Sequence, residues 1–272
     1  MPELAEVEFH RRQWDAGLGA KILAVELHAG KRIFRDTDTA ALAAALRGAK
    51  LLDSEAHGKQ MIFRFTGRAA VGLHLGMTGA LRIEAARFAP GKHDHLTLRQ
   101  ARRALVFADA RCFGRVLFHA GPDEPSWWAD RSPALLSRIF TAERMKKFLR
   151  RHGRAPVKAV LLAQEGFPGI GNWMADEILW RAALHPATPA GRLAPATVRK
   201  LWHEVRKVSA GAMRIVAKDY SDPPASWLFR HRWVAGGRCP RDGAVLERAT
   251  VGGRTTAWCA RCQGRPGSAS VL

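Results

Sequence analysis

Gly166-Phe167-Pro168-Gly169-Ile170-Gly171-Asn172 runs straight into an apolar-periodic stretch from Trp173 to Leu184. Glycine and proline at this density do not continue a helix, whereas the residues after them repeat at helical spacing, so the stretch reads as a tight turn feeding a helix. Upstream, Ser137 to Arg151 and Val157 to Gln164 also carry helical patterns. The segment therefore reads as a helix, two turns and a helix. A glycine-rich turn at a helix N-terminus exposes several backbone N–H groups beside the positive end of the helix dipole, which makes a cradle for phosphate. Asn172 is placed to act as N-cap or to donate its amide to a phosphate oxygen. A turn that merely joins two helices is the plainer alternative and stays open here. Contacts of this kind position DNA without reading its sequence.

Working outward, Ala196 to Ala217 reads as a further helix. On the N-terminal side the turn-rich Gly121-Pro122-Asp123-Glu124-Pro125 is a natural linker. Before it come short alternating runs, Ile22 to Leu27, Met61 to Phe65, Val71 to Leu75, His95 to Leu98, Ala104 to Phe107 and Val116 to Phe118. Such spacing predicts an antiparallel β-sandwich or barrel. The Ala- and Leu-rich Thr39 to Arg47 predicts one inserted helix, and residues 4 to 18 predict an N-terminal helix. The expected fold class is thus α+β: a β-sandwich domain with an N-terminal helix over residues 1–121, then a helical helix-two-turn-helix domain over 132–222. After Pro223-Pro224 the chain turns short and glycine-rich, and residues 232–265 are expected to form a C-terminal zinc-finger-like hairpin.

The 272 residues hold 44 Lys and Arg against 24 Asp and Glu, a formal charge of +20. The excess is spread along the chain, which points to a folded surface tracking a polyanion rather than a basic tail. No apolar run is long enough to span a membrane, and the first residues carry acids where a signal peptide would carry bases, so a cytoplasmic location is expected. Four cysteines argue against a disulfide scaffold, yet three of them, Cys239, Cys259 and Cys262, cluster near the end. Cys239-Pro-Arg-Asp242 and Cys259-Ala-Arg-Cys262 have the spacing of a four-cysteine zinc site with Asp242 in one ligand position. A Cys₃Asp zinc site is chemically feasible, and a finger that folds without metal is the alternative. Arg254, in the Gly252-Gly253-Arg254-Thr255 turn, would be held out toward a phosphate.

The N-terminus reads Met1-Pro2-Glu3. Removal of Met1 would leave Pro2 as a secondary amine with a pKa of about 8, well below that of lysine, and therefore nucleophilic at neutral pH. Attack on a sugar C1′ would give an iminium, and Glu3 could then act as general acid. A proline opening a helix explains the same residues without chemistry. Elsewhere, Met77 in His74-Leu75-Gly76-Met77-Thr78-Gly79 is an apolar wedge suited to the hole left by an extruded base, and Arg111 and Phe113 point the same way on an extended segment. Each has a plain reading as packing or solvated surface, as does Lys59 after Gly58.

Taken together these residues resemble the formamidopyrimidine-DNA glycosylase and endonuclease VIII family of DNA repair enzymes, and the likeness runs end to end. It is carried by Met1-Pro2-Glu3-Leu4 with Glu6-Val7-Glu8, Gly58-Lys59, His74 to Gly79, Lys92-His93-Asp94-His95, and Arg111 with Phe113-Gly114. It continues through Gly169-Ile170-Gly171-Asn172, Ala175-Asp176-Glu177-Ile178-Leu179-Trp180 and the terminal finger. The resemblance implies a bifunctional glycosylase and AP lyase acting on oxidised or ring-opened purines in double-stranded DNA. Pro2 would form the Schiff base, Glu3 would serve as acid and base, Lys59 would assist β-elimination and Arg254 δ-elimination. His74, His93, Lys158 and Asn172 would bind DNA, Met77, Arg111 and Phe113 would fill the void, and Cys239, Asp242, Cys259 and Cys262 would hold one structural zinc ion. A monomer with no membrane association is expected.

The chain departs from the family pattern at Ala5, where proline is usual, at Cys112, where a second basic residue is usual, and at Asp242. Ser221 to Phe229 looks shorter than the loop that covers an oxidised purine in typical members. His74 to Gly79 and the Met77, Arg111 and Phe113 set favour the formamidopyrimidine branch. The same chemistry on oxidised pyrimidines or another damaged base, and a catalytically silent binder of damaged DNA, are the competing readings.

Overall fold

The computed structural model describes residues 1–265. It divides into two compact units, Met1–Pro2 with Glu6–Arg131, and Glu3–Ala5 with Ser132 onward.

The first unit is built on two antiparallel four-stranded sheets. One has the order β1 (Ala24–Leu27), β6 (Asp94–Arg99), β7 (Arg103–Ala108), β5 (Ala80–Ala85). The other runs β2 (Leu51–His57), β3 (Gln60–Phe65), β4 (Ala69–His74), β8 (Arg115–Ala120). Met61, Phe63, Val71, Leu73 and Val116 of one sheet share a buried apolar core with Leu81, Leu96, Leu98, Leu105 and Phe107 of the other. This is the expected sandwich. Helix α1 (Leu4–Gln13) sends Val7 into that core, and Trp14 follows it, its ring 4.6 Å from Phe63. Helix α2 (Thr39–Leu46) is capped by the Asp38 carboxylate, which accepts the Ala40 and Ala41 amides.

Two strands go beyond the alternation visible in the sequence. Strands β2 and β5 are both sheet edges, and both carry charge. On β2, Asp53 sits directly across from Arg64 with an ion pair of 2.8 Å. On β5, Arg82 bridges Glu84 and Asp94, each at 2.7 Å. Cross-strand pairing and solvated edges support strands whose composition alone opposes them.

The second unit is helical, with α4 (Ala142–Arg151), α5 (Val157–Leu161), α6 (Asn172–Ala182) and α7 (Pro195–Asp219), preceded in the chain by the one-turn α3 (Ser126–Ala129). Helix α4 starts later than the expected Ser137 because Thr141 caps it, its hydroxyl accepting the Arg144 amide at 3.2 Å. Helix α5 stops at Leu161, short of the expected Gln164, and α1 stops at Gln13 before a single 3₁₀ turn at Asp15–Gly17. Almost every side chain of α6 is buried, so its two acids, Asp176 and Glu177, must find partners inside. Leu149, Leu161, Phe167, Ile170, Met174, Ile178, Leu201, Val205 and Val208 form the core around it. The described residues close with a hairpin of β9 (Glu247–Val251) and β10 (Arg254–Trp258), then α8 (Ala260–Gln263). The two-residue turn Gly252-Gly253 has φ of 60° and 74°, the mirror-image turn that matches strand twist and that glycine adopts without strain.

Candidate active site

The glycine-rich turn is occupied by a carboxylate from within the chain. Glu3, 3% exposed, accepts the Gly171 amide (2.9 Å) and the Met174 amide (3.1 Å) on Oε2, and the Trp173 amide (2.9 Å) on Oε1. The Leu4 amide adds a bond to the Gly169 carbonyl at 3.0 Å. The anion cradle is therefore real, but its occupant is Glu3. Gly171 is the capping residue in extended conformation with no side-chain cap of its own, which corrects the expectation of Asn172 as N-cap. A side chain is excluded at 171 by space alone, since a Cβ there would collide with the Glu3 carboxyl. Three amides and the helix dipole favour negative charge on this buried carboxyl.

Asn172 instead donates its amide to the Thr255 carbonyl at 2.9 Å. Lys158 Nζ reaches the same carbonyl at 3.2 Å and pairs with Asp176 Oδ1 at 2.6 Å. Asp176 Oδ2 accepts Arg232 Nε and Nη2 at 3.0 and 2.7 Å and the Ala257 amide at 3.2 Å. Lys158 is fully buried, so its ammonium faces Asp176 and Thr255, correcting the expectation that it lies against the DNA backbone. Burial pushes the Lys158 pKa down and the Asp176 carboxylate opposes that shift, with Arg232 adding to it. The consequence is mechanical. Thr255 follows Arg254, and the hairpin tip is seated so closely that a Cβ on Gly252 would fall 2.6 Å from the Ala159 Cβ. Arg254 is thereby presented on a fixed tip with its own side chain exposed. Arg232 is a site-building residue that motif reading passed over, and Asp176 enters only as part of the family motif with no role, though two adjacent acids in a largely apolar helix were the available signal.

In the first unit Pro2 is buried and, with Met1 attached, its nitrogen is an amide. Lys59 Nζ lies 3.8 Å from Met1 Sδ, placing the ammonium beside the N-terminus. Lys59 occupies the turn between β2 and β3, and Gln60 pairs across to His74 at the end of β4. Burial lowers the His74 pKa, and the cations Lys59, Arg35 and Arg115 lower it further, so the ring is neutral and its Nδ1 accepts the Gly76 amide at 3.0 Å. Met77 and Phe113 are 41% and 43% exposed, unusual for residues of their size, and the Arg111 guanidinium stands 4.6 Å over the Phe113 ring. His93 is exposed just before β6.

The finger brings Cys239, Asp242, Cys259 and Cys262 together, with one donor atom from each within 4.8 Å of the others. Tetrahedral zinc with Zn–S of about 2.3 Å requires sulfurs about 3.8 Å apart and a carboxylate oxygen about 3.5 Å from each sulfur. Cys239 and Cys262 sulfurs are 3.8 Å apart, and Asp242 Oδ2 lies 3.4 Å from Cys259 Sγ and 3.2 Å from Cys262 Sγ. Burial opposes ionisation of Asp242, yet the Ala244 amide and the thiols hold its pKa down at about 2. Burial pushes the Cys259 and Cys262 thiols up, so a cation is what would hold thiolates beside that carboxylate. The Trp180 indole N–H donates to Cys239 Sγ at 3.3 Å, a supporting contact of the kind metal-bound thiolates use. The donor set fits a metal.

Comparison with known proteins places this arrangement. Residues 1–116 match the family described as formamidopyrimidine-DNA glycosylase N-terminal domain, and residues 132–222 match formamidopyrimidine-DNA glycosylase H2TH domain. The chain is 32% identical to the formamidopyrimidine-DNA glycosylase of Roseiflexus sp. across 97% of this chain and 100% of that one. It is 33% identical to that of Thermus thermophilus across 97% and 99%. Among solved structures, the Lactococcus lactis enzyme bound non-covalently to DNA containing an AP site superposes with a TM-score of 0.85 at 26% identity, over 97% of this chain and 100% of the other. The same enzyme with oxidised-pyrimidine DNA gives 0.87 at 27%, with the same coverage. Fold and relatives together define a DNA glycosylase of base excision repair. The chain belongs to the formamidopyrimidine-DNA glycosylase family. No helix among the described residues is long and apolar enough to cross a membrane.

Proposed function

We propose that this chain is a bifunctional DNA glycosylase and AP lyase that removes oxidised or ring-opened purines from double-stranded DNA. The observation that carries the reading is Glu3, anchored by three amides one residue after Pro2. Once Met1 is removed, the Pro2 nitrogen attacks C1′, the glycosidic bond breaks, and the departing base keeps the bonding pair and takes a proton. The nitrogen gives up its proton, its lone pair expels O4′, which takes a proton as the sugar ring opens, and the resulting C1′=N iminium acidifies C2′. Loss of that proton expels the 3′ phosphate (β-elimination), and a second elimination expels the 5′ phosphate, leaving a one-nucleotide gap with phosphorylated ends. Glu3 serves as the proton carrier for base loss and Schiff-base formation, its charge stabilising the cationic iminium. Lys59 assists β-elimination. Arg254, on its braced hairpin tip, contacts phosphate and supports δ-elimination. His74, His93 and Asn172 bind DNA, and Met77, Arg111 and Phe113 fill the space left by the extruded base. Cys239, Asp242, Cys259 and Cys262 hold one structural zinc ion, which would fix the hairpin.

Borohydride trapping tests the chemistry. Protein whose N-terminus is verified by mass spectrometry as Pro2 should crosslink to an abasic duplex, and Pro2→Gly should lose most of that yield. No crosslink from processed wild type would refute the lyase. A panel of single-lesion duplexes tests the substrate, and equal inactivity on 8-oxoguanine and formamidopyrimidine would refute the purine assignment. Oxidised pyrimidines are the second reading, favoured by the Ser221 to Phe229 segment, which reads as shorter than a purine-covering loop, and by the Lactococcus lactis relative whose structure holds oxidised-pyrimidine DNA.

A further inference from the structure

Asp109 is fully buried in the first unit and has no part in the chemistry above. Its carboxylate lies where two loops with exposed tips meet, residues 75–79 carrying Met77 and residues 109–114 carrying Arg111 and Phe113. Oδ1 accepts the Thr78 hydroxyl at 2.6 Å and the Arg111 amide at 3.2 Å, while Oδ2 accepts the Gly114 amide at 2.7 Å. The Thr78 hydroxyl also accepts the Arg111 amide at 3.3 Å, so one carboxylate and one hydroxyl stitch both loops together. The backbones touch as well, since a Cβ on Gly76 would collide with the Phe113 carbonyl group. At the base of the second loop, His95 Nε2 meets the Asp109 carbonyl at 2.9 Å.

We infer that Asp109, acting through Thr78, is a positioning residue that preassembles Met77, Arg111 and Phe113 into one wedge. The inference rests on the proposed extrusion of a damaged base, because only a duplex with an unpaired partner base needs a filled void. Three side chains on two independent loops would each have to be ordered as the base leaves. Clamped loops have paid that ordering cost on folding, and the binding energy goes to opening the duplex instead. The carboxylate is specific to the task. An amide at 109 would turn its NH₂ toward either the Gly114 N–H or the Thr78 and Arg111 donors, leaving a buried donor opposed by another.

The test compares wild type, Asp109→Asn, Thr78→Val and Thr78→Ser by borohydride trapping rate on two substrates. One is a duplex with a paired 8-oxoguanine, which must be extruded. The other is an abasic site facing a one-nucleotide gap, where no partner base remains to be held and the chemistry at Pro2 is unchanged. Asp109→Asn and Thr78→Val should slow the first reaction about 10-fold, equivalent to roughly 1.4 kcal/mol of barrier, and stay within about 2-fold of wild type on the second. Thr78→Ser, which keeps the hydroxyl, should behave as wild type on both. Equal slowing on both substrates, or slowing on neither, would overturn the assignment. Wild type that traps on neither substrate would refute the lyase reading beneath it instead.

Discussion

Replacing Glu3 by glutamine separates the anchoring of this residue from its chemistry. The carboxylate receives three amides, two on Oε2 and one on Oε1. Glutamine offers one oxygen and one NH₂. In its better orientation the oxygen keeps Gly171 and Met174, and the NH₂ confronts the Trp173 N–H, donor against donor. With Glu3 only 3% exposed, water cannot repair that contact. The loss of one charge-assisted bond at a buried site costs about 1.5–3 kcal/mol. The helix N-terminus also loses its negative partner, roughly 0.3–1 kcal/mol more. Glu3→Gln should therefore destabilise the fold by about 3 kcal/mol. Urea unfolding of both proteins at pH 7, followed by tryptophan fluorescence, measures the difference. Amide hydrogen exchange should show the Trp173 N–H losing protection first, because it alone loses its acceptor. No DNA is present, so the outcome does not depend on substrate. A variant within about 0.5 kcal/mol of wild type, with unchanged protection at the Trp173 amide, would refute the anchoring argument.

Gly171→Ala displaces the Glu3 carboxyl without touching the nucleophile, and should lower glycosylase turnover about 100-fold while Pro2 remains trappable on abasic DNA; unchanged turnover counts against the packing at this site. Asp176→Asn leaves Lys158 and Arg232 buried without their shared anion, and a loss of about 3–5 kcal/mol in urea unfolding is expected, with less than about 1 kcal/mol contradicting it. Purified wild type should carry one equivalent of zinc by elemental analysis. Asp242→Ala should lose it to chelator faster than wild type and Asp242→Cys more slowly; identical retention in all three would show that residue 242 is not a ligand.

The β-sandwich and the helical region were legible because their strands read as short apolar runs divided by turn residues and their helices as longer apolar-periodic stretches. Strands β2 and β5 escaped that reading for a physical reason. Asp53 and Arg64, and Arg82 with Glu84 and Asp94, satisfy charge on sheet edges, where neither alternation nor β-propensity is required. Helix starts followed caps rather than composition, as Thr141 shows for α4. The donor cluster of Cys239, Asp242, Cys259 and Cys262 needed only local sequence, because its four members come in two closely spaced pairs.

Side-chain partners far apart in the chain are a different matter. The cradle before α6 was recognisable as an anion site, yet nothing local says which anion enters it, and the answer lies 168 residues upstream at Glu3. Lys158 illustrates the same limit from the other side. A lysine in a +20 chain is expected at phosphate, but Asp176 and Arg232 close around it and convert a surface charge into a brace for the hairpin tip. Both cases obey one rule. Buried charge is stable only with its partner in place, so a residue that supplies a partner is as necessary to the site as the residue that carries the chemistry. Glu3 supplies such a partner, and in the proposed reaction it does both: the amides that cap α6 also fix a carboxylate one residue from Pro2 in the chain. Its orientation is settled when the chain folds, so under the proposed mechanism no reorganisation is needed as positive charge develops at the iminium.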